Sequence, residues 1–538
     1  MLRKNFQPKS ESRYFKAIRR KRPWLLRRGV VLQHDNVTPH SANLTQQWLQ
    51  RYGWEILPHP AHSPDLAPSD FHLFGPLKRH LGGMAFETED DFISELRNWF
   101  DNLDVDFFRA ADVELDKMLQ VLALPPMFTT LRIDLNIIDA VDAIHQISMC
   151  LKKQCIDTGL DTFEIFQHSN YEDCLILKNR GPIPVGKVEK EVIVDVACGM
   201  AVLRGAHVFQ QGIMGAPASL AKGDTVSVFA DLDKKCLKGL ISKYQGTKLH
   251  VGNGTSQVSR SEIFGSNKTN QRGIGILMTN PVYEAPSLSE MSFPWLVPQN
   301  LPSIACVHAL DPQPGETVLD MCAAPGGKTS HIAALMSYKG KIVAMEKSNQ
   351  RAKKLEQLCI QNVQVYAFDS TLALTQDNAA GQKAGPPFLP ASFDRVLVDA
   401  PCSALGQRPC HVNRISVNQL HSFPVIQHKL LLVAAELLKP GGILVYSTCT
   451  ITLEENEQQV ARFLAKRPDM KLVNPHTKLG NDGLGGCDLS DTHRTLVQRF
   501  DPSVVMCNLD SHSRDLHNVD TIGFFIAKFV KVDCKENT

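Results

Sequence analysis

The amino-acid sequence predicts an α/β protein of about three domains, the largest of which is built on a parallel β-sheet. The chain has 538 residues, which is too many for a single hydrophobic core. Residues 300–530 alternate apolar strands with helical patterns, as parallel sheets with crossover helices do. The strands predicted in this stretch are Thr317–Met321, Ile342–Met345, Val363–Phe368, Arg395–Val398 and Ile443–Ser447.

The composition excludes several classes of protein. Apolar residues make up 43% of the sequence and charged residues 21%, which excludes a collagen-like or wholly disordered chain. No apolar run approaches the roughly 18 residues of a membrane-spanning helix, and no apolar segment follows the basic N-terminus as in a secretory signal. The 14 cysteines include no Cys-x-x-Cys pair, so we expect free thiols and no metal site.

Charge is distributed unevenly along the chain. The net charge is +2, yet residues 1–28 hold eleven Lys and Arg and one acid, Glu11, and so carry +10. The other 510 residues therefore carry −8. The basic segment could bind a polyanion or act as a nuclear address, or it could be a solvated tail. Any nucleic-acid binding by the rest of the chain must come from local patches.

Residues 29–111 contain two aspartates at a distinctive spacing. Asp35 follows the apolar run Val31–Gln33, and Asp70 lies in Ser63-Pro64-Asp65-Leu66-Ala67-Pro68-Ser69-Asp70, so that 34 residues separate the two aspartates. This sequence and spacing resemble those of the mariner-type transposases. The resemblance implies an RNase H-like fragment with the second and third catalytic carboxylates. Two-metal phosphoryl transfer needs several convergent carboxylates, and the only acid before Asp35 is Glu11. We therefore expect a truncated fragment without nuclease activity.

Two stretches precede the parallel sheet. Residues 112–188 include the strand-like Phe128–Ile133 and the helix-like Ile138–Leu151, and residues 189–283 hold short Val- and Ile-rich strands broken by glycines. The second stretch predicts a small β-barrel or sheet.

Next, the segment that begins at Glu316 predicts a strand, then a Gly-rich turn at Cys322–Lys328, and then a helix over Ser330–Ser337. Glycines in such a turn allow the backbone to approach a ligand closely. The dinucleotide pattern Gly-x-Gly-x-x-Gly is absent, and so is the first Gly of a Walker loop, although Gly327-Lys328-Thr329 is present. The turn alone therefore does not identify its ligand.

Acidic residues follow the next strands of the predicted sheet. Glu346, Asp369 and Asp399 each end a strand and, with the acid at the end of the first strand, make four acids in succession. Ligands bind in open α/β sheets in the crevice at the carboxyl ends of the strands. An acid in the place of Glu346 can hold ribose hydroxyls, and one in the place of Asp369 could hold an adenine amine.

Two cysteines also lie at strand ends that open onto this crevice. Cys402 follows Asp399-Ala400-Pro401, and Cys449 follows Ser447-Thr448. A lone cysteine is usually a small apolar residue, but thiolates at such cleft positions are typical of reactive sites.

Together the motifs Asp-Ala-Pro-Cys and Ser-Thr-Cys-Thr resemble the Sun-domain (Nol/Nop/Sun) RNA cytosine-5 methyltransferases. The resemblance extends to Arg499–Pro502 and Ile522–Ala527, although Ala404 stands where that family usually has Gly. It implies a Rossmann-like, S-adenosylmethionine-dependent methyltransferase domain at residues 284–531.

By this resemblance, Cys449 is the nucleophile that adds to the cytosine ring, Asp399 contacts ring nitrogen 3, and Cys402 serves the release step. The residues implied to bind S-adenosylmethionine are Cys322, Ala323, Ala324, Pro325, Gly326, Gly327, Lys328, Glu346, Arg351, Asp369 and Asp399.

Residues 189–283 resemble a PUA domain, a small β-barrel of RNA-modifying enzymes, through Val202–Phe209 and Lys222–Val228. The arrangement is similar to the PUA-containing, tRNA-methylating members of the family. It implies that Arg204, Phe209 and Lys238 contact the acceptor stem and CCA end of tRNA. A solvated basic face and a core Phe are the alternatives for these residues.

The resemblance thus implies a monomeric, cytoplasmic enzyme that forms 5-methylcytosine in tRNA, at cytosine 72 of the acceptor stem, and it leaves other RNA open as a further substrate. Two alternatives remain open at this point. One is an RNA-binding protein with a decayed catalytic domain, and the other is a domesticated transposase-derived DNA-binding protein.

Overall fold

The computed structural model describes residues 31–33, 55–57, 117–158, 162–265, 273–288, 291–358, 360–377, 385–413, 415–504 and 516–532. The chain forms two compact units, Met1–Val113 and Glu114–Thr538. In the first unit, β1 (Val31–Gln33) pairs in parallel with β2 (Glu55–Leu57). Asp35, Asp70 and the basic segment 1–28 lie outside the described residues, so the structure leaves the predictions for them as they stand.

The second unit begins with what we call the first lobe, a four-stranded antiparallel sheet with one helix on it. Its strand order is β12-β3-β5-β4. The elements are β3 (Phe128–Ile133), α1 (Ala140–Thr158), β4 (Ile165–Gln167), β5 (Cys174–Lys178) and β12 (Leu296–Pro298). Ala143, Ile147 and Leu151 recur every four residues along α1, so they share one helix face and pack on the sheet.

The middle lobe is a six-stranded sheet in the order β7-β11-β10-β9-β6-β8, antiparallel except for the β6–β9 pair. Its strands are β6 (Glu191–Val194), β7 (Val208–Phe209), β8 (Ile213–Gly215), β9 (Thr225–Asp231), β10 (Lys248–Ser256) and β11 (Ile274–Pro281). Two short helices accompany them, α2 (Val196–Val202) and α3 (Arg260–Phe264). The short strands expected between residues 189 and 283 are thus present.

The C-terminal lobe is an eight-stranded sheet in the order β15-β14-β13-β16-β17-β20-β18, with β19 paired to β20. Its strands are β13 (Thr317–Asp320), β14 (Lys341–Glu346), β15 (Val363–Ala367), β16 (Phe393–Asp399), β17 (Leu438–Thr448), β18 (Met470–Val473), β19 (Gln498–Phe500) and β20 (Phe524–Lys531). The first five are parallel and the last three pair antiparallel. All five strands predicted from the sequence are confirmed, and so is the Rossmann-like fold.

Helices cover both faces of this sheet. They are α4 (Leu301–Leu310), α5 (Gly327–Leu335), α6 (Asn349–Glu356), α7 (Val417–Leu437), α8 (Glu457–Lys466), α9 (Asp491–Arg494) and α10 (Leu516–Val519). Because side chains alternate along a strand, Val318 packs in the apolar cluster that contains α4, whereas Leu319 packs with α7 on the opposite face. Within the described part of the chain, none of the helices has the length and apolarity to cross a membrane.

Candidate active site

A cleft of about 840 Å³ opens at the carboxyl ends of the parallel strands. The strand order reverses between β14-β13 and β16-β17, which is where open α/β sheets bind ligands. All three lobes of the second unit line the cleft. Its wall includes Asp320, Cys322, Lys328, Asp399 and Cys449 from the C-terminal lobe, Phe128 and Asn179 from the first lobe, and Arg204 and Phe209 from the middle lobe.

Cys402 and Cys449, the two predicted catalytic cysteines, are in contact. Their Sγ atoms lie 3.4 Å apart, and both thiols are free. The hydrogen bond from Cys402 lowers the pKa of Cys449 below its ordinary value. The same contact, together with burial, raises the pKa of Cys402 well above it. The pair therefore favours a Cys449 thiolate, the reactive form, beside a protonated Cys402.

The loop after Cys402 has an unusual backbone. Ala404 has φ +55°, in the left-handed region that favours glycine. This is the position where the sequence departs from the usual Gly of the family. The loop is held against the Cys449 strand, because the Gly406 amide donates to the Cys449 carbonyl at 3.0 Å.

Asp399 is fixed by two partners. Its Oδ2 lies 2.8 Å from Lys328 Nζ, and its Oδ1 accepts a hydrogen bond from Ser447 Oγ at 2.8 Å. Lys328 Nζ also lies 5.2 Å from the centre of the Phe524 ring. Burial alone would lower the pKa of Lys328, but the charge and hydrogen bond of Asp399, together with the neighbouring Cys306 and Cys449 thiols, outweigh burial and raise the pKa above its ordinary value. Lys328 is thus a fixed cation in the cleft, and its charge also lowers the pKa of Cys449.

The Gly-rich turn is shaped by two glycines with different surroundings. Gly326 has φ +107°, and a Cβ there would lie 2.4 Å from Leu358 Cδ1. A Cβ on Gly327 would meet no atom within 4 Å. The first glycine is required by the fold, and the second leaves open space at the cleft wall. The following helix begins at Gly327, three residues before the Ser330 predicted from the sequence. No signal in the sequence marks this start, because the N-cap residue, Gly326, has no capping side chain.

The acids after the next two strands each have a basic partner. Glu346 Oε2 lies 3.4 Å from a guanidinium nitrogen of Arg351, whose Nη2 donates to the Ala324 carbonyl at 2.5 Å. Asp369 Oδ2 lies 2.8 Å from Lys347 Nζ, and this hydrogen bond lowers the pKa of Asp369. Arg351 thus joins Glu346 to the turn, whereas Glu346, Arg351 and Asp369 are not among the residues that line the cleft.

Asp320 is the first of the four strand-end acids predicted at the crevice, and the sequence analysis assigned it no ligand. It ends β13, is 1% exposed and accepts a hydrogen bond from Thr329 Oγ1 at 2.8 Å. Burial raises its pKa from 3.8 to about 7.

The three predicted RNA-binding residues are placed differently. Arg204 and Phe209 line the same cleft as Cys449. Lys238 is not among the cleft residues; its Nζ donates to the Gln211 carbonyl at 2.9 Å and lies 5.9 Å from the centre of the Phe264 ring.

One further cluster has metal-ligating side chains, where the sequence analysis expected no metal site. Asp173, His308 and His331 bring their ligand atoms within 4.8 Å of one another. Asp173 Oδ1 lies 2.8 Å from His308 Nε2, and its Oδ2 lies 2.7 Å from His331 Nε2. These two hydrogen bonds satisfy the carboxylate without an ion.

Comparison with known proteins identifies the family. The model of the 16S rRNA methyltransferase RsmB/F family matches residues 307–529. The tRNA (cytosine(72)-C(5))-methyltransferase NSUN6 of Mus musculus is 43% identical over 436 residues, 78% of this chain and 90% of that protein. The protein of the same name from Homo sapiens is 43% identical over 440 residues, covering 79% and 92%.

A solved structure is similar as well. The crystal structure of NSun6 from Pyrococcus horikoshii with SFG, an analogue of S-adenosylmethionine, superimposes with a TM-score of 0.61 at 28% identity. It covers 82% of this chain and 98% of that one. The two-cysteine motifs, the fold and these relatives agree: the chain belongs to the Sun-domain RsmB/F family of methyltransferases.

Proposed function

We propose that this protein is an S-adenosylmethionine-dependent enzyme that forms 5-methylcytosine in tRNA, at cytosine 72 of the acceptor stem. The observation that carries the proposal is the 3.4 Å contact of Cys402 with Cys449, which lines the cleft together with the Lys328–Asp399 pair. The names of the mouse and human relatives, which are 43% identical, support the base and its position.

The chemistry explains why a thiolate is needed. Carbon 5 of cytosine is a weak nucleophile, so a Cys449 thiolate adds to carbon 6 and makes carbon 5 enamine-like. S-adenosylmethionine, when bound, supplies the electrophilic methyl group. Asp399, held by Lys328 and Ser447, would favour protonation of ring nitrogen 3 as the adduct forms. Afterwards the carbon-5 proton leaves to a base, the ring double bond re-forms, and the bond between Cys449 and carbon 6 breaks.

The residues of the donor side fit an S-adenosylmethionine cofactor. The open space beside Gly327 leaves room for a ligand against the turn. Glu346 and Asp369 would hold hydroxyl and amine groups of the donor, and Arg351 braces Glu346 against the Ala324 carbonyl. The Asp399 carboxylate favours a nearby sulfonium charge. The SFG bound in the Pyrococcus horikoshii NSun6 crystal structure supports the same cofactor.

We infer that the RNA enters between the lobes of the second unit. Arg204 would neutralise a phosphate and Phe209 would stack on a base, because both line the cleft that contains Cys449. The same proposal includes a PUA-type fold for the middle lobe and contact of the RNA's acceptor stem and CCA end with the protein. It also includes a monomeric state and a cytoplasmic location. An RNA-binding protein with a decayed catalytic domain is not favoured, because the thiol pair and its charged neighbours are intact.

Methyl transfer to a defined base tests the proposal. The full chain is incubated with S-adenosylmethionine carrying a tritiated methyl group and with a tRNA transcript, and the product is mapped at base resolution. We expect label at cytosine 72, none on a transcript with uridine at that position, and none with Cys449→Ala. Label at another base, or an active Cys449→Ala variant, would refute it.

A further inference from the structure

Glu455 is a buried carboxylate that connects the loops carrying the two cysteines. It is 0% exposed, and no ion pair of this residue is found within the described part of the chain. Its Oε2 accepts a hydrogen bond from the amide of Ser403, the residue after Cys402, at 2.9 Å. Its Oε1 accepts one from Thr452 Oγ1, three positions after Cys449, at 3.0 Å.

Gln427 on α7 extends this contact to the other side of Cys402. Its Nε2 donates to the Pro401 carbonyl and to Glu455 Oε2, both at 2.9 Å. The residues on both sides of Cys402 are therefore held by Glu455, directly or through Gln427. Buried carboxylates are costly unless hydrogen-bonded, and three hydrogen bonds satisfy this one, so its removal leaves two buried N–H donors without a partner.

The segment around Cys449 is held by a different side chain. Asn456 Oδ1 accepts from Thr448 Oγ1 at 2.5 Å, and Asn456 Nδ2 donates to the Thr450 carbonyl at 3.1 Å. These two residues flank Cys449. Two adjacent buried residues therefore have different contacts: Glu455 fixes the surroundings of Cys402, and Asn456 fixes those of Cys449.

We propose that Glu455 is a positioning residue that holds Cys402 against Cys449 and so controls the step that releases the methylated RNA. The inference rests on the proposed function. In that step Cys402, whose thiol has first given its proton to solvent, takes the proton of carbon 5; the electrons of the carbon-5–hydrogen bond re-form the ring double bond, and Cys449 leaves as a thiolate. If Cys402 moves away from the adduct, addition and methyl transfer continue while release slows.

The test measures covalent protein–RNA adduct on a denaturing gel, with single-turnover and multiple-turnover methylation of a tRNA transcript. Glu455→Ala is expected to raise the adduct fraction at least tenfold over wild type and to lower multiple turnover, with single-turnover methyl transfer within a few-fold. Glu455→Gln keeps a carbonyl oxygen for the two N–H donors and should restore release. Asn456→Ala should lower adduct formation instead.

Gln427→Met serves as the second variant, because it removes the donor that spans Pro401 and Glu455 with little change in volume. If Glu455→Ala does not fold, adduct accumulation by Gln427→Met supports the proposal and its absence overturns it. A folded Glu455→Ala that loses single-turnover methyl transfer without adduct, or that behaves as wild type, also overturns it. Failure of the proposed function is recognised separately, since wild type would then transfer no methyl group and Cys402→Ala would form no adduct.

Discussion

Cys402 and Cys449 are 47 positions apart in the chain, yet their sulfurs lie 3.4 Å apart because the strands that precede them are neighbours. β16 and β17 pair in parallel with Asp399 opposite Ser447. Cys402 lies three residues after the end of β16, and Cys449 directly follows β17. Parallel pairing brings the carboxyl ends of both strands to the same edge of the sheet. One thiol then donates to the other, so only one of them is readily ionised.

The first prediction concerns the ionisation of Cys449. Cys402→Ala removes the hydrogen bond that lowers the pKa of Cys449, so the midpoint of its alkylation by iodoacetamide should move to higher pH. Near pH 7 the rate should fall on the order of tenfold, because only the thiolate reacts. Mass spectrometry of the peptide that contains Cys449 measures the rate.

Cys402→Ser keeps a hydroxyl donor at the same place, so it is expected to retain part of the effect. An unchanged or lower alkylation midpoint in Cys402→Ala would contradict the assignment of Cys402 as the donor to a Cys449 thiolate.

The second prediction concerns the cation beside the nucleophile. Lys328→Met removes the charge that faces Asp399 and Cys449. The rate of adduct formation at neutral pH should fall about 100-fold or more, which is the usual cost of losing a preorganised electrostatic contact. Lys439→Met is the matched control, since Lys439 forms a Lys–Asp pair of 2.6 Å with Asp394, a residue of β16 near its start. An equal loss in both variants would indicate a structural effect.

A third prediction separates the two glycines of the turn. Gly326→Ala forces a Cβ into Leu358 and Leu355 at a φ of +107°, which costs about 1–2 kcal/mol in backbone strain alone. Gly327→Ala places its methyl group in open space at the first position of a helix, so it should not destabilise the fold.

Thermal unfolding and calorimetric titration with S-adenosylmethionine distinguish the two effects. Gly326→Ala should lose both stability and donor affinity. Gly327→Ala should keep stability and lose affinity at least tenfold, because its methyl group occupies space beside the donor. Full affinity in Gly327→Ala would show that the donor does not approach this face of the turn.

The sequence predicted those parts of the site that depend on local pattern. Glu346 and Asp399 each end a strand whose apolar run is visible in the chain, and Cys402 and Cys449 follow two such strands. The pairing of Lys328 with Asp399 was not predicted, because it joins residues 71 positions apart across the cleft. The burial of Glu455 was missed for the same reason, since its donors lie on three separate segments.

The fourth prediction concerns RNA affinity. Arg204→Ala is expected to weaken binding of a tRNA transcript several-fold. It should also reduce the slope of the logarithm of the binding constant against the logarithm of the salt concentration by about one, the contribution of one phosphate contact. Lys238→Ala should have the smaller effect, because the Gln211 carbonyl already holds its ammonium group. Dissociation constants at two salt concentrations measure both variants. A larger effect for Lys238→Ala would move the RNA path away from the cleft.

The last prediction follows from the buried acid Asp320, whose pKa is raised to about 7 by burial. Between pH 3.8 and 7 the unfolded chain loses the Asp320 proton while the folded chain keeps it. This residue therefore lowers stability as pH rises, and above pH 7 the loss reaches on the order of 4 kcal/mol. Asp320→Asn should remove that loss, so its free energy of unfolding should exceed that of wild type at pH 8 and approach it at pH 4.

Asp394 provides a control of opposite sign in the same denaturant titrations. Burial opposes its ionisation, but Lys439 and the Thr317 amide outweigh this and lower its pKa. Its stabilising contribution is present at neutral pH and is lost as pH falls. Asp394→Asn should therefore destabilise the protein at pH 8, where Asp320→Asn stabilises it. If both substitutions shift stability in the same direction at pH 8, the buried carboxyl at position 320 is not the group that titrates.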